Sequence, residues 1–513
     1  MKKSNFRWVI CSLLFFATTV NYLDRQVLSL TWKDFIAPEF GWTDANYGTI
    51  TAFFSIFYAV ISLAAGKIID VLGTKKGYLA AIFFWSLAAC LHAACGVGTM
   101  VLCGHADMSA MAAAVKAGGQ AGLAISTASV WLFLACRSML ALGEAGNFPA
   151  AIKVTAEYNP KKDRALATSI FNAGASVGAL ASPVIIPVIA KYCGWEMAFI
   201  IIGGLGFVWM GFWFFLYKKP SESPFVNAAE LEYINSDEDG VRTTTGGSGA
   251  PEPAPKEEKT IGFWRCFTFR QTWAFIAGKF FTDGVWWFFL FWTPAYFSDQ
   301  FGLKADMPLT MALIAVLYAI VTFLSIGGGY LPKVFIDGKG MDPYAGRMRA
   351  MLIFAFFPIA ALLAQPLGPI SPWFPAVLIG LVGAGHQSWS ANIYSTVSDM
   401  FPKSTVASIT GIGTMAGGIG SFLINKGSGM LFTYAAGQGS AFKFMGFEGK
   451  PASYMIVFCG CAVAYLVAWC VMKTLVPRYQ KIEGLGEMPT SGHLVRTAYR
   501  RLRYETRLEM VWR

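Results

Sequence analysis

The sequence predicts an all-α membrane protein with twelve transmembrane helices in two six-helix bundles. Of the 513 residues, 55% are hydrophobic and 14% are charged, whereas soluble proteins average about 25% charged residues. The hydrophobic residues come in long blocks, and a helix needs about 20 of them to cross a bilayer. A polar segment in the middle of the chain separates two equal groups of blocks. This organisation is that of many secondary transporters.

The blocks define the predicted spans. In the first half they run roughly over 7–31, 45–66, 77–97, 128–152, 164–190 and 195–217, and in the second over 271–298, 306–330, 349–366, 372–397, 404–425 and 452–475. The predicted domains are a first bundle over 1–217, a cytoplasmic linker over 218–270, a second bundle over 271–475 and a basic cytoplasmic tail over 476–513.

The linker prediction depends on composition. Its core, 221–259, contains a run of threonines, a Gly/Ser-rich stretch and three alternating prolines, and such a segment cannot bury a core. Two other segments, 98–127 and 426–450, are longer than the topology requires. They are either surface excursions over the outer mouth or loops with no role. The tail from His493 onwards is either a basic amphipathic helix on the inner leaflet or a solvated end.

The net charge of +11 does not indicate nucleic-acid binding, because the cations lie between apolar blocks and at the C-terminus. Cytoplasmic loops of membrane proteins carry such an excess. The pattern predicts a multi-pass membrane protein with both termini in the cytoplasm. The cations concerned are Lys67, Lys75, Lys76, Lys161, Lys162, Arg164, Lys333, Lys339, Arg347, Arg349, Arg500, Arg501 and Arg503.

The N-terminus imitates a secretory signal peptide, with Lys2 and Lys3 before an apolar run. The run lacks a clean small-residue cleavage site and continues through Asp24 and Arg25 into more apolar sequence. We therefore expect it to be retained as the first span.

The ten cysteines show no metal-ligand spacing, and most lie in apolar runs, where cysteine behaves as a small hydrophobic residue. The sequence predicts no metal, no cofactor and no structural disulfide. It also shows no nucleophile–base constellation, so an enzyme is not expected.

Charged residues within the spans mark the candidate site. Asp24 and Arg25 lie in the first span, and Arg137 and Glu144 lie in the fourth, seven residues apart and so on one helix face. Each charge costs about 2.5–3.5 kcal/mol at the centre of a bilayer. Such residues persist where they face a polar cavity or each other. We expect these four to meet in a wet pocket halfway through the membrane.

The loop after the second span resembles a motif of the major facilitator superfamily. Residues 66–76 read G-K-I-I-D-V-L-G-T-K-K, similar to the family's G-x-x-x-D-x-x-G-x-K/R-K/R, although Val71 stands where that family commonly has Arg. The resemblance implies the major facilitator fold and a gating loop. Its residues are Gly66, Asp70, Gly73 and Lys75; the glycines permit a tight turn, and Asp70 can cap a helix or pair across the cytoplasmic gate.

Longer motifs are similar to the anion:cation symporter family within that superfamily. They include N-Y-L-D-R at 21–25 and Arg137 followed by Glu144 and N-F-P-A at 147–150. In the second half, K-F-F-T-D-G-V-W-W-F at 279–288 and H-Q-S-W-S-A-N at 386–392 resemble the hexuronate transporters. The resemblance implies proton-coupled symport of glucuronate- or galacturonate-like sugar acids.

Arg25 is the predicted clamp for the substrate carboxylate, because a guanidinium offers a planar two-point fork. The alternative is that Arg25 only neutralises Asp24. Glu144 and Asp24 are the predicted proton carriers, since a buried carboxylate that loses its cation can take up a proton. Arg137 would tune this exchange, or would form a static ion pair with Glu144.

Other polar and aromatic residues complete the predicted site. Lys279 can contact the substrate or pair with Asp283, four residues on. Amides and hydroxyls suit sugar hydroxyls, and an aromatic face suits the C–H side of a sugar ring, although polar residues also hold transmembrane helices together. The further candidates are Tyr22, Tyr58, Gln387, Trp389, Ser390 and Asn392.

Two rival functions remain open. One is proton symport of another organic anion, such as an aldonate. The other is a transporter-like sensor that signals through its linker or tail. We expect small organic anions, protons and the lipid bilayer as partners, no nucleic acid, and a monomer.

Overall fold

The computed structural model describes residues 4–236, 263–401 and 403–482, and almost all of them are helical. We number the α-helices in chain order. Those before the linker are α1 (Phe6–Thr31), α2 (Ala37–Phe40), α3 (Asp44–Leu72), α4 (Thr74–His92), α5 (Cys95–Leu102), α6 (Met108–Ala117), α7 (Gly119–Glu144), α8 (Asn147–Tyr158), α9 (Lys161–Cys193), α10 (Trp195–Leu216) and α11 (Ala228–Ile234).

The second half has fewer, longer helices and one small hairpin. The helices are α12 (Arg270–Phe301), α13 (Pro308–Lys339), α14 (Pro343–Ala355), α15 (Ala361–Leu367), α16 (Trp373–Met400), α17 (Lys403–Gln438) and α18 (Lys450–Leu475), and the strands are β1 (Lys443–Phe444) and β2 (Phe447–Glu448). The two strands pair antiparallel.

The helices form twelve long segments, as predicted. In the described part of the chain, nine segments are long and apolar enough to cross a membrane, and a tenth is the pair α4–α5, bent by 57°. The other two are α16 and α17, with 28 and 36 residues, which are equally long but richer in Gly, Ser and Thr. Because twelve is even, α1 begins and α18 ends at the same face. We call it the terminal face, and the other the opposite face.

Several predicted boundaries were wrong. Segment 98–127 is not a loop: it contains the end of α5, all of α6 and the start of α7. Segment 426–450 is helical as far as Gln438 and then forms the hairpin. In the second segment, Gly429 lies where a Cβ atom would be 2.6 Å from the Asp44 carbonyl oxygen, and small residues at such a contact let transmembrane helices approach closely.

The linker and the tail are described only in part. Residues 237–262 and 483–513 lie outside the described residues, and with them about half of the predicted linker and the whole predicted amphipathic tail. The described start of the linker is folded, because it includes α11. The division at 217, 270 and 475 stays a prediction.

The two halves meet along helix pairs. α3 packs against α17, α9 against α13, and α1 against α12. In the α3–α17 seam, a Cβ atom on Gly48 would lie only 2.9 Å from the Cα of Gly429, so glycine is required for this close approach. Two turns of the seam further along, the hydroxyls of Ser55 and Ser421 lie 2.8 Å apart.

A ring of four charges closes the opposite face. The Lys33 Nζ lies 3.1 Å from Asp44 and 2.8 Å from Asp299, and the Lys450 Nζ lies 2.7 Å from Asp44 and 2.6 Å from Asp299. We call these four residues the charge ring. Lys33 and Asp44 belong to the first half, and Asp299 and Lys450 to the second. The ring therefore links the halves through two ion pairs.

The start of α1 is held by a side chain from the linker. Asn5, at the N-cap, makes no side-chain cap. Instead the buried Glu230 of α11 accepts hydrogen bonds from the backbone N–H groups of Phe6 (3.2 Å) and Arg7 (3.1 Å) and from the Ser4 hydroxyl (2.5 Å). A carboxylate at a helix N-terminus is favourable because it satisfies free N–H groups and opposes the helix dipole.

We expect Glu230→Ala to lower the free energy of unfolding by about 0.5–2 kcal/mol, since it removes the acceptor of part-buried donors at the start of α1. Thermal unfolding in detergent would measure this. Glu232→Ala, which removes an exposed carboxylate of the same helix, is the control. Equal stability of the two variants would contradict the capping role.

Candidate functional site

Charged residues from α1 and α7 meet inside the first half. Arg25 donates from Nε (2.9 Å) and Nη2 (2.7 Å) to one oxygen, Oε2, of Glu144. Both side chains are buried, with 6% and 0% of their surface exposed. The other carboxylate oxygen, Oε1, has no hydrogen-bond partner among the described residues. The ion pair thus uses only one of the two carboxylate oxygens of Glu144.

Local sequence sets the position of Glu144. It is the last residue of α7, and the helix breaks at Ala145 and Gly146 before α8 begins. Just before it, a Cβ on Gly143 would lie 2.6 Å from the Ala81 carbonyl oxygen. Only glycine lets α7 approach α4 this closely, and the approach fixes the carboxylate next to α1.

Arg137 is buried two turns before Glu144, but it does not pair with it in the described structure. Its Nη2 donates to the backbone carbonyl of Arg25 at 3.2 Å, and its guanidinium lies 5.3 Å from the Phe54 ring. This conformation therefore does not contain the static Arg137–Glu144 ion pair that was one of the two alternatives predicted from the sequence. Arg137 instead supports the backbone that carries Arg25.

Asp24 does not neutralise Arg25 in this conformation. It is 2% exposed, and neither of its carboxylate oxygens has a hydrogen-bond partner among the described residues. The same holds for both polar side-chain atoms of Asn21, one turn earlier. A buried polar group without a partner costs about 1–3 kcal/mol, and such groups are candidates for water or proton sites.

Four aromatic rings surround the Arg25 guanidinium. Its Cζ lies 5.3 Å from the ring of Tyr22, 4.9 Å from Tyr58, 5.2 Å from Trp287 and 5.9 Å from Phe54. We call these residues the aromatic cage. Tyr22, Tyr58 and Trp287 are only half-buried. Rings at these distances stabilise a guanidinium by cation–π attraction.

Sequence reasoning missed two cage residues, Phe54 and Trp287. Trp287 lies in the 279–288 motif, but an aromatic residue in an apolar block has no feature that marks a site. It is also the contribution of the second half to the cage, which only the packing of α1 against α12 reveals.

The second half carries a similar cation–carboxylate pair. The Lys279 Nζ lies 2.7 Å from Asp283 and 4.5 Å from the centre of the Tyr394 ring. Both charged residues are buried, at 4% and 9% exposure. The closed pair considered from the sequence is thus present in this conformation, next to a tyrosine of α16.

The candidates on α16 divide between two helix faces. Gln387, Ser390 and Tyr394 are spaced like one face of a helix, and all three are half-buried. They lie along the face of α16 whose Tyr394 ring contacts Lys279, so Gln387 and Ser390 lie on the same face as that tyrosine.

Trp389 and Asn392 have structural partners in this conformation. Trp389 is fully buried and packs edge-on against Tyr465 of α18 at 5.5 Å. Asn392 donates from Nδ2 to the Ser388 carbonyl at 2.8 Å and to Gly328 of α13 at 3.4 Å. These contacts hold helices of the second half together, and a substrate role for either residue stays a prediction.

The predicted gating loop lies at the terminal face. Gly73 ends α3 with a positive φ of 78°, which favours glycine. The Lys75 Nζ lies 5.2 Å from the Phe214 ring, and Gly66 faces Pro149 of α8 at the edge of van der Waals contact. The side chain of Asp70 lies outside the described part of the structure, so its gate role stays a prediction.

The described residues contain no group of three or more His, Cys, Asp or Glu that could hold a metal.

A cavity of about 440 Å³ opens in the second half, lined by residues of α13, α14 and α16 that include Arg347 and Asn392. Along the site, the described hydrogen bonds and ion pairs between the halves lie level with the cage or towards the opposite face, for example Gln26 to Tyr318 at 2.7 Å.

Comparisons with known proteins agree with this architecture. The sequence profile described as Major Facilitator Superfamily matches residues 14–424. The hexuronate transporter of Escherichia coli (strain K12) is 26% identical over 422 residues, 82% of this chain and 87% of that protein. The D-galactonate transporter of Escherichia coli O6:H1 is 25% identical over 419 residues, 82% and 87% of the two chains. A crystal structure of a D-xylose–proton symporter, 15% identical, covers 94% of this chain and 100% of its own with a TM-score of 0.64, a likeness of fold.

Proposed function

The chain belongs to the Major Facilitator Superfamily, and from this membership we propose that it is a symporter that imports hexuronates with protons across a bacterial inner membrane. The family consists of transporters, so the protein is a membrane transporter and not an enzyme. The similarity to sugar-acid transporters supports an organic anion as substrate. The observation that carries the proposal is the Arg25–Glu144 pair inside the aromatic cage.

Substrate binding and protonation of Glu144 are coupled at the Arg25–Glu144 pair. Glu144 holds Arg25 through one oxygen, whereas a free sugar carboxylate can offer two oxygens to the guanidinium fork. A bound hexuronate therefore displaces Glu144, which is left buried without its cation and takes up a proton. Asp24, already without a partner, is the second proton carrier. In the loaded site the substrate carboxylate replaces Glu144 as the counter-ion of Arg25, and protonated Glu144 carries no charge while the protein changes state.

The half-buried rings of the cage suit the sugar. Tyr22, Tyr58 and Trp287 present aromatic faces to the space beside Arg25, and such faces pack on the C–H side of a pyranose ring. Gln387 and Ser390 offer an amide and a hydroxyl for its hydroxyl groups. Because Trp287 comes from the other half, sugar binding couples the two halves.

Alternating access requires one closed and one open face. The charge ring and the α3–α17 seam close the opposite face, and the cations of the loops indicate that the terminal face is cytoplasmic. We infer an inward-facing conformation, with both termini in the cytoplasm. We expect the transporter to act as a monomer in the lipid bilayer.

We expect Lys450→Met to weaken closure of the opposite face, because it removes the contact between Lys450 and Asp44 that crosses between the halves. The measurement is the rate at which a charged maleimide labels a cysteine placed at Ser55, in the seam, with accessible native cysteines replaced by Ser. Labelling should be several-fold faster in the variant.

Lys443→Met is the matched control, because Lys443 pairs with Glu448 within the hairpin of the second half. This ion pair does not connect the two halves. Equal labelling rates for the protein with Lys450→Met and the protein with an unmodified charge ring would show that the ring does not hold this face closed.

Transport of an aldonate by the same mechanism is the second candidate, favoured by the similarity to a D-galactonate transporter. Uptake by the purified protein in proteoliposomes separates the two, with labelled galacturonate and galactonate as substrates. Hexuronate symport predicts galacturonate accumulation that stops when an ionophore collapses the proton gradient. Accumulation that is unaffected by the ionophore would disprove proton coupling, and binding without flux would indicate a sensor.

A further inference from the structure

Three buried aromatic rings meet where the two halves close at the opposite face. Trp32 and Tyr47 of the first half stack face to face, with ring centres 4.0 Å apart and planes 5° from parallel. Trp292 of the second half meets both rings edge-on, at 5.8 Å from Trp32 and 5.0 Å from Tyr47. All three residues are fully buried. We call them the aromatic seal.

The sequence places the seal between the cage and the charge ring. In each of the three segments that supply it, a seal residue lies between a cage residue and a charge-ring residue. The three orders along the chain are Tyr22, Trp32 and Lys33; Asp44, Tyr47 and Phe54; and Trp287, Trp292 and Asp299. A substrate that reaches the cage from the opposite face therefore passes the seal.

Two of the three polar groups of the seal have partners. The Tyr47 hydroxyl donates to the backbone carbonyl of Phe291, across the two halves, at 2.8 Å, and Trp292 donates from Nε1 to Oδ1 of Asn425 at 2.9 Å. The Nε1 of Trp32, in contrast, has no hydrogen-bond partner among the described residues. Burying an N–H group without an acceptor is unfavourable, and such groups are rare enough in native structures that each one requires an explanation.

Separation of the halves leaves Trp32 and Tyr47 together as an open platform. Both rings belong to the first half, whereas Trp292, which covers their edges, departs with the second. The Lys33 Nζ lies 5.1 Å from the centre of the Trp32 ring. When the halves separate, it keeps Asp44 of its own half and loses Asp299. The open state thus brings together a flat aromatic surface, an N–H donor and an ammonium group that has lost one of its two counter-ions.

We propose that Trp32, Tyr47 and Lys33 form an entry subsite, which binds the sugar acid while the opposite face is open and before it reaches the cage. The inference rests on the proposed import of hexuronates. The platform packs on the C–H side of the sugar ring, and Trp32 Nε1 donates to one of its hydroxyl groups. The carboxylate of the sugar acid takes the place of Asp299 at Lys33 through a charge-assisted contact.

The entry subsite is separate from the central one. Trp32 follows Arg25 by seven residues, a rise of about 10 Å along a helix. It begins a π-helical turn, Trp32–Ile36, that also carries Lys33, and such turns are frequent at functional sites. When the halves close, the Trp292 ring returns to the platform and the Asp299 carboxylate returns to Lys33. Closure therefore displaces the sugar from the entry subsite and favours its transfer to Arg25.

The test is galacturonate uptake by proteoliposomes that hold the protein with the opposite face outward, under an imposed proton gradient. Trp32→Phe keeps a stacked ring and removes the N–H donor. We expect it to raise KM about three- to tenfold, which is the effect of one lost hydrogen bond. Tyr47→Phe is the matched control, because it removes the contact with Phe291 across the halves but keeps the platform and the Trp32 donor. Its KM should not rise.

A second measurement separates a lost substrate contact from a shift between states. The maleimide labelling rate of a cysteine placed at Ser55, without substrate, reports how often the opposite face is open. In Trp32→Phe, KM should rise by about threefold or more beyond any fall in this rate. A rise that only matches the fall in labelling would be a shift of the equilibrium and would overturn the subsite.

The other outcomes are equally distinct. An unchanged KM in Trp32→Phe, an equal rise in Tyr47→Phe, or loss of uptake by Trp32→Phe at every galacturonate concentration would also overturn the entry subsite, since each leaves Trp32 with a structural role. Absence of galacturonate uptake by the wild type would instead overturn the proposed hexuronate function.

Discussion

Arg25→Lys is expected to lower hexuronate affinity by about a hundredfold or more. The guanidinium makes two hydrogen bonds to one oxygen of Glu144 and lies within 6 Å of four aromatic rings. An ammonium keeps the charge but cannot form a planar two-point contact with a carboxylate, and a bidentate charged contact contributes several kcal/mol. Calorimetric titration with galacturonate in nanodiscs measures the loss.

Arg7→Lys is the control for this substitution. Arg7 is also an arginine of α1 that lies 3.5 Å from a carboxylate, that of Asp163, and 4.4 Å from an aromatic ring, that of Tyr233, but it lies at the terminal end of the helix. Retained affinity in Arg25→Lys would remove Arg25 from the clamp role.

Glu144→Gln is expected to abolish proton-driven accumulation while substrate exchange continues. Glutamine has nearly the same shape, but it cannot take up or release a proton and is a weaker competitor for Arg25. Substrate should therefore bind and cross in both directions without a proton. In proteoliposomes, accumulation under an imposed pH gradient should fall to the level of vesicles without a gradient, whereas counterflow of preloaded substrate should persist.

Glu157→Gln provides the comparison. Glu157, on α8, accepts a hydrogen bond from Thr74 at 2.6 Å and another from Tyr217, away from the cage, so it should retain accumulation. Unchanged accumulation in Glu144→Gln would assign the proton to another group, with Asp24 the next to examine.

The number and type of the helices could be predicted because the bilayer imposes both. Twenty apolar residues in a row can satisfy their backbone in lipid only as a helix, so the twelve segments follow from composition. Their ends do not, since contacts beyond the membrane decide them. α17 continues to Gln438, well past the predicted end, because glycines in its sequence pack against α3 instead of ending the helix.

The residues of the central site could be predicted, but their pairing could not. The cost of charge in a membrane identifies Asp24, Arg25, Arg137 and Glu144 as a group. Asp24 and Arg25 are neighbours in sequence, yet successive helical residues point about 100° apart, so Arg25 reaches Glu144 while the Asp24 carboxylate has no hydrogen-bond partner among the described residues. Trp287 could not be identified, because its role depends on how the two halves dock.

The charge ring determines what each half retains when they separate. Lys33 and Asp44 both come from the first half and lie 3.1 Å apart; Asp299 and Lys450 both come from the second and lie 2.6 Å apart. Parting the halves breaks only the Lys33–Asp299 and Lys450–Asp44 contacts, and every ion departs with a counter-ion attached. The gate at the opposite face is thus self-neutralising: opening it leaves no charge without a counter-ion, and the same four residues can pair again each time the halves close.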